Sequence, residues 1–145
     1  MWRAGPVASS LSNQESIIVA APYEISWNLA SKRLTFKLRG SWDVKTMSEW
    51  ERAYRAAVAQ APAGGWTVLG DMIDYPPQTE EVQKGHELMM ALSVKSGMTR
   101  AALVIPKVVT TMQNKRSAAK SKADDVIVFV TSLAEAARAL TAVRV

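Results

Sequence analysis

The chain has no cysteine, which excludes disulfides, a thiolate nucleophile and cysteine-ligated zinc or iron–sulfur centres, and fits a reducing, cytoplasmic setting. It has one histidine, His86, so sites built from several imidazoles are excluded too. His86-Glu87 begins like the helix of a zinc protease, but the second histidine required one turn later is Met90. There is no Gly-x-Ser-x-Gly turn to expose a nucleophile, no Gly-x-Gly-x-x-Gly and no Gly-Lys-Ser/Thr phosphate cradle. No apolar run approaches the roughly 20 residues that span a bilayer. Only seven glycines and six prolines occur, too few for collagen or low-complexity architecture. No cofactor and no metal is expected.

What is present suits one compact domain: 145 residues, 48% of them hydrophobic. Residues 1–21 carry one cation and one anion, and the polar stretch from Ser9 to Ser16 breaks the apolar run a secretory signal needs. They are expected to form a poorly ordered leader, with Ile17 to Ala21 as an arm or early strand, ahead of a domain over 22–145. From Tyr23 the period is two: Tyr23, Ile25 and Trp27, then Leu34, Phe36 and Leu38 after a polar turn, predict an antiparallel hairpin. The spacing of Val44, Met47, Trp50, Tyr54, Ala57 and Val58 predicts a helix capped by Asp43.

Trp66 to Gly70 reads as a strand covered on both faces, followed by a loop from Asp71 to Gln78. Thr79 should cap a second helix, with Glu80 and Glu81 at its positive end, Val82, Gly85, Met89 and Leu92 inward, and Gly97 as its stop. Arg100 to Ile105 is a further buried strand. Val108, Val109 and Met112 open a third helix, expected for two turns only, because a continued apolar stripe would meet Lys115. Val126 to Val130 is the last strand. Ser132 and Glu135 form a capping box for a final helix with Leu133, Ala136, Ala137 and Leu140 inward. The fold class is therefore α/β: a single mixed, mostly parallel five-stranded sheet with about four helices, ordered ββαβαβαβα.

This order resembles the STAS domain of sporulation anti-sigma-factor antagonists, and more closely its SpoIIAA-like branch. The residues that carry the resemblance are Tyr23 to Trp27 before Leu34 to Gly40, Gly40-Ser41-Trp42 leading into the helix with Trp50 and Tyr54, Trp66 to Asp71, and Val128-Phe129-Val130 before Ser132 to Leu140. It covers about 120 residues, Tyr23 to Val143. The resemblance implies a non-enzymatic regulatory module that binds protein partners or, in some branches, lipids or nucleotides. Antagonist members open the helix after the third strand with an Asp-Ser-Ser/Thr-Gly-like stretch whose hydroxyl is phosphorylated. Here that stretch reads Asp74-Tyr75-Pro76-Pro77-Gln78-Thr79: the paired hydroxyls and the Gly are absent, and Thr79 alone stands near the phosphorylated position, either as a helix cap or as the modified hydroxyl.

Ligands of open α/β sheets gather at the carboxyl ends of the strands. That rule selects Ser41, Trp42, Asp43, Asp71, Asp74, Tyr75, Lys107, Thr131 and Ser132, with Thr79, as candidate contacts. Trp42 is expected to be exposed, and the Asp74–Pro77 loop is either a partner-binding ridge or a stiff connection. Charge is uneven as well. From Leu88 to Ala123 there are seven cations and no anion, so the whole +5 excess falls there. Lys107, Lys115, Arg116, Lys120 and Lys122 form either a solvated face or a surface for an anionic partner, lipid headgroup or small molecule. The same stretch has no aromatic residue, which argues against nucleic acid. Three functions compete: an interaction module acting through a protein partner or self-association, a carrier or sensor of a small apolar or anionic amphiphile suggested by seven methionines, and an enzyme using Asp71, Asp74 or His86.

Overall fold

The computed structural model describes residues 21–141, and the expected leader falls almost wholly outside them. Nine elements follow in order: β1 (Tyr23–Asn28), β2 (Arg33–Arg39), α1 (Val44–Val58), β3 (Trp66–Asp74), α2 (Glu80–Lys95), β4 (Met98–Val104), α3 (Val108–Lys120), β5 (Ile127–Val130) and α4 (Leu133–Thr141). The strands form one sheet in sequence order, with β1 antiparallel to β2 and every other pair parallel. This is the expected fold class. The hairpin turn closes with Lys32 in the left-handed region and its amide bonded to Leu29 O.

The two faces of the sheet are covered differently. Leu34, Phe36, Leu38, Trp66, Val68 and Met72 point towards α1, α2 and α3 and form the larger core. Phe36, Trp50 and Tyr54 interlock edge to face there, contacts worth about 1 kcal/mol each beyond area burial. On the other face α4 packs on β3, β4 and β5, burying Ala102, Val104, Ala136 and Leu140. The alternate residues of β1 and β2 on that face (Glu24, Ser26, Asn28, Arg33, Thr35, Lys37 and Arg39) are covered by no helix among the described residues.

Glycine sets two close approaches. A Cβ at Gly70 would lie 2.6 Å from Leu103 and 2.7 Å from Phe36, so the neighbouring strands fill its place. A Cβ at Gly85 would collide with Met47, so this residue lets α1 and α2 approach. The expected caps are present: Asp43 Oδ1 accepts the Thr46 amide at 2.8 Å, Thr79 Oγ1 the Val82 amide at 3.4 Å, and Ser132 Oγ the Glu135 amide at 3.1 Å.

Three expectations need correction. Strand β3 runs on through Asp71 to Asp74, because Met72 and Ile73 keep its alternation and Lys37 and Arg39 of β2 pair with it. Leu133 and Ala137 of α4 are exposed; only Ala136 and Leu140 of the expected stripe are buried. The largest correction concerns α3, which is a full 13-residue helix rather than two turns. Its large apolar residues face outward: Thr110, Asn114, Ser117 and the small Ala118 are buried, whereas Val108, Val109 and Met112 are 73%, 56% and 56% exposed. Lys115 therefore interrupts nothing, since it belongs to the same outward face.

Candidate functional site

The helical side of the carboxyl rim is built around Gln78, a buried residue just before the α2 cap. Its Oε1 accepts the Trp42 amide at 2.9 Å, and its Nε2 donates to Gly40 O and Pro76 O. Its main-chain amide donates to Gln113 Oε1, while Gln83 Nε2 and Gln113 Nε2 both donate to its carbonyl. One side chain and its peptide groups thus tie the entry of α1, the β3–α2 connection, α2 and α3 together. Gln78 is not among the residues the carboxyl-rim rule selects, although a long amide beside two prolines and directly before a cap is suited to satisfying loop peptide groups.

Trp42 and Tyr75 lie beneath that knot. Contrary to the expected exposure, Trp42 is only 5% exposed, and its Nε1 donates to Arg39 O at 2.8 Å. Tyr75 is 1% exposed, which fits the stiff-connection alternative rather than a ridge led by the tyrosine. Its ring meets Trp42 edge on at 5.1 Å, and its hydroxyl shares a 2.8 Å hydrogen bond with His86 Nε2. Burial pushes the His86 imidazole down to about 4 and raises the Tyr75 phenol well above its ordinary range. Both groups are neutral across physiological pH. Deeper in, Tyr54 donates to Ser93 Oγ at 2.5 Å while Ser93 donates to Met89 O, and burial pushes the Tyr54 phenol up to about 12.

A cavity of about 50 Å³ lies between the sheet and the helices, lined by Met72, Met89, Met90 and Met98 with His86 and Asn114 at its polar side. It is well short of the roughly 150 Å³ of an apolar cavity that takes up benzene. His86 and Asn114 also border a polar gap of about 10 Å³ with Gln78, Gln83 and Ser117. Gln83 and Ser117 in turn border a surface groove of about 160 Å³ between α2 and α3, lined by Glu80, Lys84, Glu87, Arg116 and Lys120. Three separate spaces thus share lining residues along the polar inner face of α3.

The remaining candidates do not join this cluster. Asp71 points to the opposite face of the sheet, where it lies 4.0 Å from Lys37 and accepts the Ile73 amide. Asp74 and Ser41 are exposed, and no group of three His, Asp or Glu suited to a metal occurs among the described residues. Asp43 is a cap whose carboxyl is held below its ordinary value by the Thr46 amide. Thr131 donates through its amide and hydroxyl to Glu135, which lowers that carboxyl in turn, and Ser132 caps α4. Thr79 is exposed in its capping role.

Lys107 stands exposed at the start of α3 without a side-chain cap bond. Lys115, Arg116 and Lys120 continue the outward face begun by Val108, Val109 and Met112, while Lys122 lies past the helix end in a left-handed conformation. Lys115 Nζ sits 5.8 Å from the Phe129 ring centroid. No helix among the described residues is long and apolar enough to cross a membrane. No family model, no curated protein and no solved structure matches the chain.

Proposed function

We propose that the chain is a non-enzymatic, STAS-like regulatory module whose partner-binding surface is the outward face of α3. The observation that carries this reading is the orientation of that helix. A helix packed on a sheet turns its apolar stripe to the core, yet α3 buries Thr110, Asn114, Ser117 and the small Ala118 and presents Val108, Val109 and Met112 to solvent. Lys115, Arg116 and Lys120 follow on the same face, so the surface suits a protein partner with an apolar strip bordered by acidic residues. The element order implied by the family resemblance agrees with the sheet described above. The single imidazole is buried against Tyr75, which leaves no exposed histidine to act as a general base.

A photo-crosslinking residue at Val109 tests this reading, with the same residue at exposed Thr99 as control. One discrete protein adduct from Val109 alone, lost when Arg116 and Lys120 become glutamate, is the expected result. No adduct, or the same adducts from both positions, contradicts it.

The second reading is a carrier or sensor of a small amphiphile, and it draws on the methionine-lined cavity and on the neighbouring spaces that share its lining residues towards the α2–α3 groove. Methionine side chains repack readily around a guest. Native mass spectrometry of the purified full chain separates the two: a retained small molecule favours the carrier, and a bare polypeptide mass favours the interaction module.

A further inference from the structure

We propose that the face of the sheet opposite α1–α3 holds a phosphate-binding site made by Arg33, Thr67 and Arg100. The three residues stand side by side on adjacent strands: Arg33 of β2 is in register with Thr67 of β3, and Thr67 with Arg100 of β4. Their faces match, since Leu69, Ala102 and Val104 of the same alternation pack against α4. Adjacent strands are about 4.8 Å apart, so the two arginine Cα atoms are separated by about 10 Å with the threonine between them. Side chains of that length can converge on one ion across such a gap.

The two arginines are alike in what they lack. Arg33 Nε and Arg100 Nε are both buried and without a hydrogen-bond partner among the described residues. A buried donor on a charged group is costly to leave unmade, and two such donors stand in one row of the sheet. The acids on this face are already engaged: Glu24 pairs with Arg39, and Asp71 lies 4.0 Å from Lys37. Asp124 and Asp125, in the loop leading to β5, form no ion pair with Arg100. Two guanidinium groups thus share a row with no neutralising carboxylate among the described residues.

The donor set selects the ligand. One carboxylate occupies one guanidinium fork. Two forks with the Thr67 hydroxyl between them match a tetrahedral oxyanion with more acceptors and a second negative charge, as a phosphate group supplies. The chemistry is shared by free phosphate and by a phosphate monoester. The site lies on the opposite face of the sheet from the outward surface of α3, so it stands or falls independently of the proposed partner surface.

The test is calorimetric titration of the full chain with inorganic phosphate and, in a second arm, glycerol 3-phosphate, each at constant ionic strength against chloride. Wild type should bind at one saturable site. Arg33→Gln and Arg100→Gln should each weaken binding by about tenfold or more, and Thr67→Val by less. Arg100→Lys, which keeps the charge and loses the fork, should fall between wild type and Arg100→Gln. Tighter binding of the ester identifies an organic phosphate as the natural source, and equal binding identifies the free ion. In phosphate-free buffer Arg100→Gln should melt no lower than wild type, because it removes a repulsion. Absence of saturation above chloride, equal affinity in the variants, or a lower melting temperature without phosphate would overturn the proposal, the last by assigning the arginines to the chain's own structure.

Discussion

His86 is buried, and its titration is governed by that burial. Its imidazole, ordinarily near 6.5, is pushed down to about 4 by burial, so the unfolded chain takes up a proton that the folded chain refuses until far lower pH. The resulting stability is fully present above about 6.5 and is lost as pH falls towards 4, by roughly 3 kcal/mol in all. His86→Gln keeps an acceptor for Tyr75 and removes the titration. Urea unfolding at pH 7 and pH 4.5 should show a smaller loss for the variant than for wild type, and parallel losses would contradict the assignment. Tyr75→Phe deletes the shared hydrogen bond in a buried setting and should cost about 1–2 kcal/mol at pH 7 in the same assay. Thr79 invites a separate measurement. If it acts as a cap, Thr79→Ala should cost about 1 kcal/mol and Thr79→Ser much less, and equal costs would count against capping.

At the scale of elements, the strands and caps could be read from the sequence because each depends on neighbours along the chain. Alternation in Leu34, Phe36 and Leu38, and a hydroxyl or carboxylate directly before a helix, are local signals. Helix α3 could not be read this way, because apolar periodicity reports which residues share a face and is silent on which way that face points. Taken as an inward stripe, Val108, Val109 and Met112 end the helix at Lys115. Thr110, Asn114, Ser117 and Ala118 form an equally regular stripe, and it is this polar, small-residue stripe that packs towards Tyr75, Gln78 and α2. Replacing Val108 and Val109 by serine and Met112 by glutamine should therefore leave the unfolding free energy from urea titration nearly unchanged, within about 0.5 kcal/mol for each substitution. Gly85 gives the opposite case. Alanine there improves helix propensity by about 1 kcal/mol but collides with Met47, so a net loss in the same unfolding assay is expected, and a gain would show that α1 can move away.

For the whole molecule, the order of elements, the antiparallel first strand and the parallel remainder follow from the alternation of strand and helix and from the handedness of crossover connections. The candidate site was less accessible. The rule that ligands collect at the carboxyl rim named Trp42 and Tyr75, but nothing local to either residue showed that both are enclosed by Gln78, His86 and one another. Gln78 itself acts through partners up to 38 residues away, a separation no local pattern reports. Division of labour between the sheet's faces is likewise a property of the assembled chain: one carries three helices, while the other has α4 over β3–β5 and polar side chains on β1 and β2. The outward face of α3 remains the central claim, and the lack of any native cysteine makes it directly measurable. Single cysteines placed in turn at Val108, Val109, Thr110, Met112, Asn114 and Ser117 should react with a thiol reagent rapidly at Val108, Val109 and Met112 and slowly at Thr110, Asn114 and Ser117. Protection at the first three with rapid labelling of the last three would reverse the helix and contradict the account.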